Sequence, residues 1–249
     1  MAAECVARRP GDLQAAEVAA FLDGLPRRYL QLFGRRDVYE HVRLARDIHP
    51  DEVHLRLTRV DTVWELTVVS LDEPFLFSNI SGVLSYFGMD ILRGHALTSL
   101  TGTVLDVFQF TDRDGFFERN SQAREQFDRA LREAVAGRAD VRAMLKNKER
   151  SVLFRRAPMA RRTPVIYFDN AHSQRYTVLE LVADDAPGLL HRVSRVISEH
   201  GVDVDLVLIS TEGQKAIDVF HITRGGAKLN EDAEAALKAD LERMLKESA

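Results

Sequence analysis

The sequence predicts an α+β protein that contains two copies of one fold unit behind an N-terminal helical segment. Three observations lead to this fold class. Parts of the chain repeat at a nearly constant spacing, short runs of strand-forming residues alternate with runs of helical periodicity, and 45% of the 249 residues are hydrophobic. A chain of this length and composition has room for one or two domains with hydrophobic cores.

The repeat is clearest around a strand and the turn that follows it. WELTVVSLDEPFLF (residues 64–77) matches TVLELVADDAPGLL (177–190), so that Asp72 corresponds to Asp185 at a spacing of 113 residues. Two further matches lie downstream: Gly88 and Asp90 correspond to Gly201 and Asp203 at the same spacing, and LDVFQFTD (105–112) corresponds to IDVFHITR (217–224) at a spacing of 112. Three matches in the same order indicate two copies of one unit.

The second copy predicts the order strand, helix, strand, strand, helix. TVLELVA is rich in strand-forming residues, and Pro187-Gly188 ends this strand and begins a helix. Residues 202–210 and 216–223 predict a hairpin that turns near Glu212-Gly213. A final helix with one apolar stripe follows the hairpin.

Each copy is preceded by one more predicted strand. TPVIYFDN (163–170) precedes the second copy, just as EVHLRLTRV (52–60) precedes the first. We expect this leading strand to take the fourth place in a four-stranded antiparallel sheet, with two helices on one face and the other face free to pack. Residues 12–47 predict a mostly helical segment, and residues 116–148 predict the long second helix of the first copy.

These elements divide the chain into four parts. They are an N-terminal helical segment (1–47), the first copy (48–150), a basic linker (151–162) and the second copy (163–249). From Arg138 to Arg162, nine Lys and Arg residues outnumber Asp140 and Glu149 by seven. This surplus indicates either a solvated helix end and linker or a patch that binds an anionic partner. The linker residues of such a patch are Arg155, Arg156, Arg161 and Arg162.

Composition and charge exclude several classes of protein. The net charge of −4 argues against a basic nucleic-acid-binding protein, and no basic recognition helix indicates sequence-specific DNA binding. No run of about 20 apolar residues predicts a membrane span, and the N-terminus lacks the apolar stretch of a secretory signal. Cys5 is the only cysteine, so neither an intramolecular disulfide nor a cysteine-based zinc site can form. We therefore expect a soluble, cytoplasmic protein.

Several motifs of the second copy occur together. A strand is followed by Asp185-Ala186-Pro187-Gly188-Leu189-Leu190, a helix, and Gly201-Val202-Asp203-Val204. This pattern resembles an ACT domain, a small ferredoxin-like regulatory module that binds amino acids or similar metabolites. With AIDVFHIT, and with FLDGLPRRYL (21–30) and His41 upstream, it is similar to the C-terminal ACT pair of the bifunctional uridylyltransferase/uridylyl-removing enzymes of PII nitrogen signalling. The resemblance covers most of the chain and implies two ferredoxin-like ACT units.

The motifs that would carry catalysis in those enzymes are missing from this sequence. Their nucleotidyltransferase domain needs a Gly-Ser dipeptide upstream of an Asp-x-Asp pair. The sequence has no Gly-Ser, and Asp112-Arg113-Asp114 and Asp203-Val204-Asp205 match Asp-x-Asp only formally. Their hydrolytic domain needs a His-Asp dipeptide as a metal ligand, and none of the eight histidines precedes Asp. Cys5 lies in a terminus that we expect to be mobile, which argues against a catalytic thiol. We therefore expect no catalytic residues, no metal site and no cofactor.

The predicted ligand site is a loop at a helix N-terminus. It comprises Asp185, Ala186, Pro187, Gly188, Leu189 and Leu190. Free backbone N–H groups and the helix dipole favour a carboxylate there, and Gly188 lets a ligand approach the backbone closely. Asp203, at the start of the next strand, is predicted to bind the ammonium group of an amino acid. In the first copy Phe75 replaces Gly188, so we expect no equivalent site there, although Asp72 and Asp90 are retained. The alternative is that the loop is only a helix-start device.

Together these features predict a non-catalytic regulatory sensor that binds a small-molecule amino acid. Glutamine is favoured only through the resemblance to nitrogen-signalling enzymes. A ligand at the junction of the two sheets would favour one relative arrangement of the units. One alternative is a ligand-independent interaction module for a regulatory partner, such as a PII-type protein or a uridylyltransferase, and another is an enzyme with an unrecognised site. Because ACT-type sheets pack side by side or face to face, we expect a homodimer.

Overall fold

The computed structural model describes residues 1–50, 52–119, 121–149, 163–212 and 215–247. Its helices and strands are, in chain order, α1 (Ala2–Ala7), α2 (Ala15–Gly24), α3 (Tyr29–Leu32), α4 (Arg35–Ala45), β1 (His54–Val60), β2 (Val63–Leu71), α5 (Leu76–Tyr86), β3 (Asp90–Thr98), β4 (Thr103–Thr111), α6 (Phe116–Arg119), α7 (Ala123–Val135), α8 (Val141–Glu149), β5 (Val165–Asp169), β6 (Thr177–Asp184), α9 (Leu189–Glu199), β7 (Asp203–Glu212), β8 (Lys215–Thr223) and α10 (Glu231–Glu247). We call β1–β4 with α5–α8 the first unit, and β5–β8 with α9 and α10 the second unit.

The eight strands form one antiparallel sheet in the order β1-β2-β4-β3-β7-β8-β6-β5. Both halves have the same arrangement, with the leading strand, β1 or β5, at the outer edge. The expectation that a leading strand completes each four-stranded sheet is confirmed. The halves meet where β3 pairs with β7, from Arg93 opposite Leu208 to His95 opposite Leu206. The α+β class with two ferredoxin-like units is therefore confirmed, and the two sheets are continuous.

Helices α5, α7, α8, α9 and α10 bury one face of this sheet. Strand β6 shows how the sequence selects that face, because its apolar and polar positions alternate. Leu179, Leu181 and Ala183 are buried, whereas Glu180 between them is exposed. One hydrophobic core therefore extends under the helices of both units.

The two units also contact each other through α5 and α9. Gly82 of α5 permits this close approach, since a Cβ atom there would lie 2.7 Å from Nδ1 of His191 in α9. The His191 ring donates a hydrogen bond from Nδ1 to the carbonyl oxygen of Ser78, at 2.7 Å. The units are thus joined by a strand pair on the sheet and by a helix pair above it.

The N-terminal helices α1–α4 cover the opposite face of the first unit's half of the sheet. The strand side chains that they bury are Val69, Leu97, Leu105 and Val107. The expectation of a mobile N-terminus is wrong, because Cys5 is buried in α1 and its carbonyl oxygen accepts a 3.0 Å hydrogen bond from the Tyr39 hydroxyl. Burial of apolar surface on a sheet face that would otherwise meet water holds this segment in place.

The prediction of one long helix over residues 116–148 is wrong, because this segment contains the three helices α6, α7 and α8. Asp112 caps α6 by accepting two backbone N–H groups, at 2.8 and 3.0 Å. Helix α7 ends before Gly137, whose φ of 67° lies in the left-handed region. Asp140 then caps α8 by accepting a backbone N–H group at 2.9 Å. These local signals interrupt an apolar periodicity that is otherwise continuous.

Some predictions concern residues that the structure does not describe. The basic linker 151–162, with Arg155, Arg156, Arg161 and Arg162, lies outside the described residues, as does Gly213 at the hairpin turn. Every described helix is too short or too polar to cross a lipid bilayer. In the described ranges, no three His, Cys, Asp or Glu side chains are arranged to hold a metal ion.

Candidate functional site

The predicted ligand loop connects β6 to α9. Residues 185–187 follow the end of β6, Gly188 precedes the helix, and Leu189 and Leu190 lie buried in its first turn. Gly188 has a φ of 73°, in the left-handed region. A Cβ atom on Gly188 would also lie 3.2 Å from Leu145 Cδ1 of α8. Glycine therefore meets two needs here, the left-handed backbone and the close approach of α8.

Two amide groups of this loop already have acceptors within the protein. The Gly188 N–H donates to the hydroxyl oxygen of Ser85, at 2.6 Å, and the Leu189 N–H donates to the carbonyl oxygen of Ala186, at 3.0 Å. The expectation of free amides is therefore wrong for these two groups. No described backbone carbonyl receives the amide of Leu190. Because Ser85 belongs to α5, the first unit occupies the start of the second unit's helix.

Asp203 does not lie beside the 185–190 loop. Strands β6 and β7 both pair antiparallel with β8, so they run parallel to each other. The start of β6 lies opposite Ile222, and the start of β7 lies opposite Thr223. The end of β6, from which the loop continues, lies opposite Lys215. Seven residue steps of about 3.3 Å separate the two ends of β6 by about 23 Å. The prediction that Asp203 and this loop bind one ligand is wrong.

Asp203 lies instead near the corresponding loop of the first unit. Because β7 pairs antiparallel with β3, the start of β7 lies beside the end of β3. Strand β2 ends at the same end of the sheet, and Asp72 follows it directly. Burial raises the pKa of the Asp203 carboxyl, and the negative charges of Asp205 and Asp72 raise it further. The carboxyl groups of Asp72, Asp203 and Asp205 therefore lie at the same end of the sheet.

The first unit's loop has the same backbone shape but a different side chain. Phe75 adopts a φ of 66°, in the left-handed region that Gly188 occupies in the second unit. The guanidinium carbon of Arg195 lies 4.9 Å from the centre of the Phe75 ring. Asp90, the equivalent of Asp203, forms a 2.5 Å ion pair with Arg113. A ring stacked beneath a cation thus fills the space that a glycine would leave open.

Asp218 is a buried acid close to the predicted ligand loop. Its side chain is 2% exposed, on the face of β8 that also carries the buried Ala216 and Phe220. Its Oδ1 atom has no hydrogen-bond partner among the described residues. Burial raises the pKa of Asp218 to about 7, and the charge of Asp185 contributes in the same direction. Asp218 lies opposite Leu181 of β6, three positions before the end of that strand, so its carboxyl lies close to where the loop begins.

Asp106 is the equivalent acid of the first unit. It is 1% exposed, and neither carboxyl oxygen has a hydrogen-bond partner in the described part of the chain. Burial raises its pKa well above the usual range, and the charge of Asp72 adds to the effect. Neither acid was among the predicted site residues. The signal was the repeat of LDVF as IDVF, which twice places an acid where strand alternation points into the core.

Arg28 connects the N-terminal segment to the second unit. Its Nη2 atom lies 2.6 Å from Asp205 Oδ1 and donates to the carbonyl oxygen of Ala96 at 2.8 Å. Its guanidinium carbon is 5.3 Å from the centre of the Tyr176 ring. Both charged side chains are largely buried. This ion pair therefore joins three parts of the molecule: the N-terminal helices, β3 of the first unit and β7 of the second.

Two cavities lie away from the predicted ligand loop. One of about 290 Å³ lies between α2, α4 and the first half of the sheet, with Phe21 and Leu105 in its wall. The other, of about 690 Å³, lies between β1, β2 and α7. Neither is lined by residues 185–190 or by Asp203. The loop itself is covered by Leu145 and by the Ser85 contact.

The second unit combines a ferredoxin-like topology with a tight loop at the start of its first helix. Residues 177–242 match the ACT domain family. The second unit therefore contains an ACT domain at residues 177–242. This confirms the resemblance predicted from the motif at residues 185–190 and from the strand after it.

Bifunctional uridylyltransferase/uridylyl-removing enzymes are similar to most of the chain. The enzyme from Gluconobacter oxydans is 30% identical over 220 residues, which are 85% of this chain and 23% of that protein. The enzyme from Azospirillum brasilense is 33% identical over 71% of this chain and 19% of that protein. The enzyme from Phenylobacterium zucineum is 29% identical over 88% of this chain and 24% of that protein. The chain thus spans no more than about a quarter of these curated relatives, in their C-terminal region.

A crystal structure of an unknown protein from Galdieria sulphuraria aligns with 75% of this chain and 92% of that chain, at 12% identity. Its TM-score is 0.24, which is too low to carry an argument about fold or function.

Proposed function

We propose that this chain is a regulatory module without catalytic activity of its own, and that it senses an amino acid through its second unit. The ACT domain at residues 177–242 and the homology to the C-terminal region of the uridylyltransferases support a regulatory role. ACT domains generally bind small amino-acid ligands. The observation that carries the proposal is the hydrogen bond between Gly188 and Ser85, because it makes one loop both the candidate ligand site and a contact between units.

The proposed mechanism is a competition at the start of α9. The carboxylate of the amino acid is attracted by the helix dipole and accepts from the amides of Gly188 and Leu190. To reach Gly188 it must displace the Ser85 hydroxyl, which belongs to the first unit. A ligand that binds only after this contact opens has different affinities for the closed and open states. Binding therefore shifts the arrangement of the two units, and a partner protein can detect that shift.

Glutamine is the proposed ligand because the relatives are uridylyltransferases, which the resemblance links to nitrogen signalling. Isothermal titration calorimetry with each of the twenty L-amino acids tests the proposal. We expect saturable binding of glutamine, or of another amino acid in its place. If none of the twenty binds at millimolar concentration, the sensor proposal is wrong.

The absence of catalysis is also part of the proposal. The sequence has neither the Gly-Ser dipeptide of a nucleotidyltransferase nor a His-Asp dipeptide for metal-dependent hydrolysis. We expect no uridylyl transfer to a PII-type protein and no removal of uridylyl groups from it. Turnover of UTP or of uridylylated protein by the purified chain would contradict this part of the proposal.

A second candidate function is protein–protein interaction through the open face of the second unit. Val165, Tyr167 and Leu208 are 56%, 55% and 38% exposed on that face. The N-terminal helices cover the corresponding face of the first unit, where they bury Val69, Leu105 and Val107. The equivalent residues of the second unit lie on its open face and are partly exposed. Those residues are Val182, Ile217 and Val219. An apolar sheet face of this kind favours a protein partner.

A second copy of the chain is the proposed occupant of this open face, which would give a homodimer. Sedimentation equilibrium of the wild type and of Tyr167→Asp tests it. We expect a dimer that the substitution dissociates. A monomeric wild type that captures a PII-type protein equally well with and without amino acids would favour the ligand-independent interaction module instead.

A further inference from the structure

A buried carboxyl group lies beside the loop at the start of α9. We propose that Asp218 binds the ammonium group of the amino acid whose carboxylate lies at the α9 N-terminus. The ligand class is therefore the zwitterion with a free ammonium group, and N-acylated amino acids are excluded. This inference rests on the proposed function and assigns the acidic half of the same site.

The position of Asp218 supports this assignment. On β8 it lies opposite Leu181 of β6 and Ile209 of β7, on the side of the sheet that the helices cover. Its neighbours on that side, Ala216 and Phe220, belong to the same buried cluster as the first turn of α9. The loop continues from the end of β6, three positions beyond Leu181, to α9 on this same side of the sheet. Asp218 thus has the proximity to the helix start that Asp203 lacks.

Asp218 also lacks a hydrogen-bond partner for its Oδ1 atom among the described residues. A carboxyl oxygen that is removed from water and makes no hydrogen bond is destabilising, and an ionised buried carboxylate is more so. In the second unit, Oδ1 of Asp218 is buried and makes no hydrogen bond to a described residue. The same is true of both carboxyl oxygens of Asp106 in the first unit. An ammonium group satisfies such an oxygen with a charge-assisted hydrogen bond. In the second unit, where no aromatic side chain blocks the loop, this unpartnered oxygen of Asp218 points to a role in binding the ammonium group.

The charges around the loop match both ends of a zwitterion. On the inner side, the unpartnered oxygen of Asp218 can accept a hydrogen bond from an ammonium group, whose positive charge favours the ionised carboxylate. The N-terminus of α9, an eleven-residue helix, is positive and favours the carboxylate. A simple cation or a simple anion would satisfy only one of these two sides.

The first unit provides a matched comparison. Asp106 is as deeply buried as Asp218, but its loop carries Phe75 beneath Arg195 in place of the glycine. The acidic half of the site is therefore present and the backbone half is blocked. Replacing Asp106 should leave ligand binding unchanged, whereas replacing Asp218 should weaken it.

The test uses the full chain as wild type, Asp218→Asn and Asp106→Asn. Thermal shift measurements screen the twenty L-amino acids and their N-acetyl derivatives, and calorimetry gives the affinity for each amino acid that shifts the melting temperature. We expect an amino acid that binds the wild type at least about tenfold more tightly than its N-acetyl derivative does. Asp218→Asn should lose at least about tenfold in affinity, and Asp106→Asn should remain within about twofold of the wild type.

Each result decides between defined outcomes. Equal binding of the free and N-acetylated amino acid, or unchanged affinity in Asp218→Asn, overturns the assignment of Asp218 and leaves the sensor proposal intact. If the wild type binds no amino acid, both proposals are wrong. The N-acetyl comparison uses the wild type alone, so it decides the matter even if Asp218→Asn does not fold.

Discussion

Replacing Asp218 with asparagine should change how the stability of the protein depends on pH. The pKa of this carboxyl rises from 3.8 to about 7 on folding, because the side chain is buried beside Asp185. Between these two values the folded state binds more protons than the unfolded state, so wild-type stability falls as the pH rises from about 4 to about 7. Three pKa units at 1.36 kcal/mol each give a total loss of about 4 kcal/mol.

Asparagine has a similar shape and does not titrate, so Asp218→Asn should not show this loss. The free energy of unfolding is measured by urea titration followed by circular dichroism, at pH values from about 4.5 to 7.5. Over this range the variant should gain about 3 kcal/mol relative to the wild type, because part of the titration lies below the lowest pH used. Glu180→Gln, at an exposed acid of the neighbouring strand, is the control and should stay within about 0.5 kcal/mol of the wild type.

A stability difference between Asp218→Asn and wild type that is the same at every pH would contradict this prediction. Such a result would mean that the carboxyl titrates alike in the folded and unfolded states. The buried position would then be solvated or neutralised in a way that the described contacts do not include.

Three further predictions concern contacts between the units. Ser85→Ala frees the Gly188 amide, so by calorimetry the affinity for the amino acid should rise several-fold; an unchanged or weaker affinity would contradict the competition at α9. Gly188→Ala places a Cβ atom against Leu145 at a backbone position with a left-handed φ. It should lower the free energy of unfolding, measured by urea titration, by about 1–2 kcal/mol. A loss below about 0.3 kcal/mol would show that this backbone position does not require glycine. Arg28→Met leaves the Asp205 carboxylate largely buried without its ion-pair partner and should lower the free energy of unfolding by about 3 kcal/mol. In the double variant, Asp205→Asn should restore part of this loss. Strictly additive effects of the two substitutions would show that the pair is not coupled.

The sheet was predictable because its signals are local or repeat along the chain. Alternating apolar residues mark the strands, Pro187-Gly188 marks the strand-to-helix turn, and the 113-residue spacing links the two copies. The leading strands followed from these observations, since each copy lacked one strand. The burial of Cys5 was not predictable in this way, because it depends on a sheet face formed by residues 69–107.

The sequence predicted where the 185–190 loop lies in the fold but not where Asp203 lies relative to it. The loop at residues 185–190 does lie at a helix N-terminus, but Asp203 lies at the opposite end of the sheet. Elementary topology explains the difference, because a helix that connects two parallel strands returns the chain to the end at which the first strand began. A residue at the start of the second strand therefore cannot meet the loop after the first. Asp218, on the returning strand β8, lies only three positions from Lys215, which is opposite the end of β6.

The helices before residue 46 have a consequence for any attempt to study the two sheet units alone. Four apolar side chains of β2, β3 and β4 depend on those helices for their removal from water. A fragment that starts at residue 48 would present this surface to solvent and would also lose the guanidinium that neutralises Asp205 at the seam between β3 and β7. Such a fragment should aggregate or separate at that seam, so ligand and partner experiments require the whole chain.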